Sequence, residues 1–151
     1  MTAPVVSLRP VEDADLPILL AHQDDPVAAA MAGFPTRAPD AFYEHWAIIR
    51  ANPTMTTRTI LADDVVVGDI VTWVDAGQRE VGYWIGREHW GRGYARAALR
   101  LLLEEVTERP VFAHVALDNI GSRRVVEHCG FTLVDEVIAQ DGVHERIFRL
   151  D

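Results

Sequence analysis

Apolar positions along the chain follow two rhythms. At the helical spacing of i, i+3 and i+4 stand Leu16, Leu19 and Leu20, then Phe42, Trp46 and Ile49, then Ala95, Ala98, Leu99, Leu102, Leu103 and Val106. The first group predicts a helix capped by Asp13 and broken at Asp24-Asp25-Pro26. A short helical piece is expected from Ala28 to Gly33, followed by a turn at Gly33-Phe34-Pro35. Pro39-Asp40 opens the second long helix, which ends before Pro53. The third group predicts a central helix from Tyr94 to about Arg109, ended by Pro110, and Asn119 caps a further short helix that stops at Gly130. Strand-like runs fill the rest: Val5–Leu8, Arg58–Ala62, Val65–Val74, Glu80–Ile85, Val111–Leu117, Thr132–Ala139 and Glu145–Leu150. Asp63-Asp64, Asp75-Ala76-Gly77 and Asp141-Gly142 are the turns between neighbouring runs. Helices and strands in this order predict one α+β domain over residues 1–151, without repeats or linkers.

Composition narrows the function classes. At 151 residues with 49% hydrophobic and 25% charged content, the chain can bury a real core. No apolar run approaches membrane-spanning length, and the first residues lack a basic-then-apolar leader pattern, so the expected location is the cytoplasm, with no membrane partner. The net charge of −9 argues against a nucleic-acid partner, which needs a basic footprint, and would suit a cationic acceptor. Cys129 is the single cysteine; Val125 and Val126 beside it suggest a packing residue rather than a nucleophile.

The segment with the most chemistry runs from Val81 to Leu99. An apolar strand enters the glycine-rich turn Gly91-Arg92-Gly93, and a helix opens at Tyr94. The first turn of a helix has unpaired N–H groups and the positive end of the helix dipole, so strand, turn and helix start together make an anion cradle. Arg92 and Arg96 supply guanidinium groups that match phosphate oxygens; Arg87 is a weaker candidate, and Trp90 is expected to pack on the core, with stacking near the cofactor as the alternative.

Around these residues the chain resembles the GNAT acetyltransferases, whose pyrophosphate loop reads Gln/Arg-x-x-Gly-x-Gly/Ala. Trp90-Gly91-Arg92-Gly93-Tyr94-Ala95 keeps Gly93 and Ala95 but has Trp90 in place of Gln/Arg, a replacement similar to the branch of ribosomal-protein N-terminal acetyltransferases (RimJ/RimL-like). The block from Asn119 through Ser122 to Gly130-Phe131 resembles the same branch. The resemblance implies a mixed, mostly antiparallel sheet of about seven strands flanked by four helices, with the strands at Glu80–Ile85 and Val111–Leu117 parallel and splayed around acetyl-CoA. It implies no metal. It also implies that the diphosphate sits on backbone N–H groups from Trp90 to Ala95. Backbone groups of Trp84, Ile85, Gly86 and Arg87 would pair with the pantetheine arm, an N–H near Ile85 would face the thioester oxygen, and Asn119 would contact the arm.

Three residues are candidates for the base that frees the amine: His114, Glu80 and Asp69. His114 titrates near neutrality and occupies the strand where some relatives have a glutamate base. For the acid, the family's tyrosine seven residues after the asparagine is here Val126. Ser122 is the nearest replacement, with Tyr83 and Tyr94 as further candidates. The acceptor cleft is expected between His22 and Tyr43, with Met31, Phe34, Tyr43 and Trp46 as soft or aromatic walls and Asp24, Asp25 and Asp40 attracting an amine. The function that follows is acetyl transfer from acetyl-CoA to a primary amine, either a small molecule or a protein N-terminus. The alternative is an acyl-CoA-binding module with little chemistry. The final hairpin offers strands on which a homodimer would pair.

Overall fold

The computed structural model describes residues 2–32 and 36–151. Among them lie seven strands in one sheet and five α-helices: β1 (Val6–Pro10), α1 (Leu16–Gln23), α2 (Pro26–Ala32), α3 (Pro39–Ala51), β2 (Thr56–Ala62), β3 (Val65–Asp75), β4 (Gln78–Ile85), α4 (Tyr94–Glu105), β5 (Val111–Ala116), α5 (Ile120–His128), β6 (Thr132–Ile138) and β7 (His144–Leu150). Two 3₁₀ turns, Asp13–Asp15 and Arg87–His89, precede α1 and the glycine-rich loop. The turn expected at Gly33-Phe34-Pro35, and with it Phe34 as a cleft wall, lies outside the described residues.

Where elements differ from expectation, the cause is local. Asp24-Asp25-Pro26 does end a helix, but it also starts one: the Asp25 carboxylate accepts from the Val27 and Ala28 N–H groups at 2.9 and 3.2 Å, and Pro26 needs no partner in a first turn. This is the short helical piece expected from Ala28, begun two residues earlier, and with it the α-helices number five rather than the four that the resemblance implies. Asp13 does not cap α1; it pairs with Arg50 at 2.7 Å. Asp15 organises this corner instead, accepting from the Glu12 N–H at 2.9 Å, from both Arg9 Nη atoms at 2.6 and 2.8 Å, and from Thr59 at 2.7 Å. The Arg9 fork holds the Asp15 carboxyl down at about 2. The central helix stops at Glu105, short of Arg109, and the Arg109 guanidinium folds back to cap it, donating to the Leu103 and Val106 carbonyls; Pro110 has no N–H to offer the latter in a further turn.

The sheet order is β1-β2-β3-β4-β5-β7-β6. Every neighbouring pair is antiparallel except β4 and β5, which run parallel. Their ladder holds only Arg79↔Val111 and Glu80↔Phe112 before the strands part, so residues 81–85 face a wedge rather than a partner.

Strand alternation sorts the side chains onto two faces. Val81 and Ile85 of β4 and Val111, Ala113 and Val115 of β5 join Ala98, Leu99 and Leu102 of α4, Val126 of α5 and Phe148 in one core. Leu16 and Leu19 of α1 and Phe42, Trp46 and Ile49 of α3 form a second core, against which Val66 and Val71 of β3 pack. On that second face the alternation aligns Asp69, Val71 and Trp73 with Gly82 and Trp84, and with His114 on β5. No helix in the described residues is long and apolar enough to cross a membrane.

Candidate active site

The loop between β4 and α4 is shaped by two left-handed glycines. Gly91 has φ +76° and Gly93, at the N-cap of α4, has φ +79°. Side chains at such angles are strained, and glycine is not. This curl brings the chain into α4 with the N–H groups of its first turn, Tyr94 to Arg96, free of intrahelical partners. Tyr94 anchors the helix start by burying its ring.

In front of this helix start lies a cavity of about 400 Å³. Of the residues expected to hold the cofactor, Trp84, Ile85, Trp90, Gly91, Gly93 and Tyr94 line it, as do Ala95, Arg96, Asn119 and Ser122. Three do not. Gly86 is behind the wall, its N–H donating to the Val67 carbonyl at 2.9 Å. Arg87 turns away to Asp25, at 3.3 Å. Arg92 is exposed outside the cavity. Trp90 does not pack on the core: it is 39% exposed, and its indole donates to the Ile85 carbonyl at 2.9 Å. That bond consumes one of the backbone groups expected to pair with the pantetheine arm. Arg96 remains the one guanidinium on the cavity among the described residues. Its contact with His128 is long, at 3.5 Å.

The Cys129 thiol makes a weak contact to the Arg96 carbonyl at 3.8 Å, and burial pushes its pKa up, as a packing residue requires.

A second cavity, of about 660 Å³, opens on the other sheet face beneath α1 and α3. Ala32, Tyr83, Trp84, Asn119 and Ser122 belong to both, so the two cavities meet at these five residues. At this waist the Tyr83 hydroxyl and Ser122 Oγ stand 2.6 Å apart. Ser122 is fixed because its own N–H donates to Asn119 Oδ1 at 3.1 Å, so Asn119 is both helix cap and cavity wall. Burial pushes Tyr83 up to about 12, and it stays a hydroxyl donor at neutral pH. Val126, at the position where the resemblance implies a tyrosine, is fully buried in the core. Tyr83 brings a phenol to the waist from β4 instead.

The second cavity has an acidic floor. Glu80 is buried, and its Oε1 lies 3.2 Å from His114 Nε2; His114 Nδ1 lies 3.5 Å from Glu145 Oε1. The hydrogen bond to Glu80 is the main cause of an upward shift in the His114 pKa, with burial opposing it and Glu145 adding to it. Asp69 also lines the cavity, and burial raises its carboxyl to about 7. Glu145 carries no signal in the sequence that marks it as a site residue. Only the pairing Ala116↔Glu145 on the far side of β5 carries it next to His114.

The acceptor walls differ in part from expectation. Gln23, Phe42, His45 and Trp46 line this cavity, so the α1–α3 region does wall it. Tyr43 is exposed and Met31 lines the cofactor side. Asp24, Asp25 and Asp40 are not on the cavity; the acidic groups come from the sheet instead.

A backbone anion cradle opening into a wedge between splayed parallel strands, with an acid-lined chamber beyond it, defines a protein of the acyl-CoA-dependent transferase class. The family model "Acetyltransferase (GNAT) domain" matches residues 6–132, and the chain belongs to that family. A stretch of 69 residues is 39% identical to a Bacillus subtilis (strain 168) protein named "Putative ribosomal N-acetyltransferase YdaF"; it covers 43% of this chain and only 37% of that protein. The fold is shared with Mycobacterium smegmatis RimJ solved in complex with CoA-disulfide, at TM-score 0.81 and 22% identity over 98% of this chain and 83% of that one. It is shared equally with the spermidine N-acetyltransferase of Vibrio cholerae solved with CoA and spermine, at TM-score 0.81 and 17% identity over 95% and 92%.

Proposed function

We propose that this chain moves the acetyl group of acetyl-CoA to a primary amine, a protein N-terminus or a small amine, by direct attack within a ternary complex, and that it does so in the cytoplasm. The observation that carries this reading is the waist. Two cavities on opposite faces of the sheet meet where β4 and β5 part, which lets two substrates enter from different sides and touch at one point. Acetyl-CoA supplies an activated thioester. The α4 N-terminus and Arg96 hold its diphosphate, and the unpaired edge of β4 orients its arm. Holding both reactants at one waist supplies much of the rate by proximity.

An amine arrives as an ammonium ion and must lose a proton. Glu80 and Glu145 stabilise positive charge in the second cavity, and His114 between them accepts the proton once it is neutral. A specific observation favours a second base: the Asp69 carboxyl, at about 7, titrates in the working range. At the waist, Tyr83 and Ser122 donate a hydrogen bond to the departing sulfur. The relatives' names point to two kinds of acceptor, ribosomal protein for YdaF and spermidine for the Vibrio enzyme. The acidic floor suits either. The exposed apolar residues of β6, Leu133, Val134 and Ile138, are where a homodimer would form.

Thiol release from acetyl-CoA, measured against a panel of polyamines and N-terminal peptides, tests the reading. Amine-dependent release is expected. CoA binding with no release for any amine would replace the transferase with a binding module.

A further inference from the structure

His22, near the end of α1, is 6% exposed, yet neither ring nitrogen has a hydrogen-bond partner among the described residues. Nδ1 is buried and unpaired, and Nε2 stands 3.8 Å from Glu88 Oε1, too far for a hydrogen bond. Nε2 is the nitrogen turned toward Glu88, and with no hydrogen-bond partner among the described residues it is open to a partner that is not protein. Across from it, the turn Arg87–His89 presents two more donors. His89 Nε2 lies 3.5 Å from the same Glu88 oxygen, and the ligand atoms of His22, Glu88 and His89 all fall within 4.8 Å of one another.

We propose that His22, Glu88 and His89 form a binding site for a divalent transition metal of the zinc type, beside the cofactor cavity, whose wall His89 also lines. Tetrahedral zinc, with bonds of about 2.1 Å, sets its ligand atoms about 3.4 Å apart. The two separations from Glu88, 3.5 and 3.8 Å, need only a small contraction, which its 67% exposed side chain is free to supply, and the two imidazole nitrogens lie within 4.8 Å of each other. Two imidazoles and one carboxylate suit zinc and its neighbours rather than calcium or magnesium, which take oxygen ligands. Gly86 is part of the site: a Cβ there would lie 2.5 Å from His22 Nε2, so glycine keeps that nitrogen clear. Three protein ligands leave a fourth position for water. The ion ties α1, a wall of the acceptor cavity, to the turn that leads into the anion loop.

The test uses the full chain stripped with a chelator and titrated with zinc chloride by calorimetry in the absence of acetyl-CoA. One equivalent of binding is expected, accompanied by a rise in Tm. Glu88→Gln, at an exposed side chain, should weaken binding at least about tenfold while keeping the metal-free Tm, and His89→Ala should weaken it by at least as much. Cobalt(II) should give visible absorption bands in the wild type that disappear in His89→Ala. His114→Ala, which removes the imidazole between Glu80 and Glu145, should bind zinc as the wild type does. No binding by the wild type, binding undiminished in both turn variants, or loss of binding in His114→Ala would overturn the site. These readouts do not depend on acetyl transfer, so the two proposals can fail separately.

Discussion

The two ends of the cleft are built by different means. The cofactor end is mostly backbone: two left-handed glycines and the first turn of one helix, all within residues 90–96. The acceptor end is made of side chains, with α1, α3, β3, β4, β5 and β7 each contributing. A backbone cradle needs little from its neighbours and tolerates changes in the rest of the chain. A chamber assembled from so many elements can be reshaped by changes in any of them. One fold can therefore keep a single cosubstrate while its acceptors vary, since the two jobs sit on separate structural supports.

The largest effect should come from breaking the cofactor end alone. Gly93→Asp forces a side chain into a left-handed angle and puts a carboxylate against a diphosphate. CoA affinity should fall by roughly 100-fold or more in a calorimetric titration. Unchanged affinity would refute the cradle. Next, Tyr83→Phe removes the phenol at the waist without touching the cradle. Turnover should fall by roughly 10- to 100-fold while CoA affinity stays near wild type. If the two fall together, the waist and the cradle are one unit and the two ends are not independent.

Smaller effects belong to the acceptor end. His114 must be neutral to take a proton, and its pKa is raised above the ordinary 6.5. The acid limb of the pH–rate profile should therefore lie above that value. His114→Ala should move or abolish this limb; if Asp69→Asn does so instead, Asp69 is the base. The acceptor wall also depends on Asp15, which fastens the start of α1 to β1 and β2. With its carboxyl held at about 2 in the folded chain against about 3.9 unfolded, Asp15 contributes about 2.6 kcal/mol. That stability is present above about pH 4 and is lost as the pH falls through 2. Asp15→Asn should lower stability at pH 7 by that order in urea titrations and flatten its acid dependence.

The cradle is legible in the sequence because its parts are adjacent. Gly91, Gly93 and the apolar face beginning at Ala95 sit within a few residues, so local geometry fixes them together. The same holds for Asn119 and Ser122, one helical turn apart and joined by a single cap bond. Trp90 departs from its expected place in the core because composition cannot tell a buried indole from one whose N–H is tethered to a carbonyl five residues away. The early stop of α4 is capped by the Arg109 side chain folding back, which apolar periodicity does not record.

Short-range patterns in the chain — periodicity, caps and glycines at fixed spacing — are enough to specify the elements, their order, the anion loop and the family. They do not specify which acids face the acceptor. Glu80, His114 and Glu145 converge because β5 lies between β4 and β7, and the alternation of three strands puts them on one face. Tyr83 reaches Ser122 across 39 residues because it alternates to the opposite face of β4, the one on which α5 packs. A strand's own residues set which of them share a face, but its neighbours and register are chosen by the whole sheet, and with them the chemistry of the chamber.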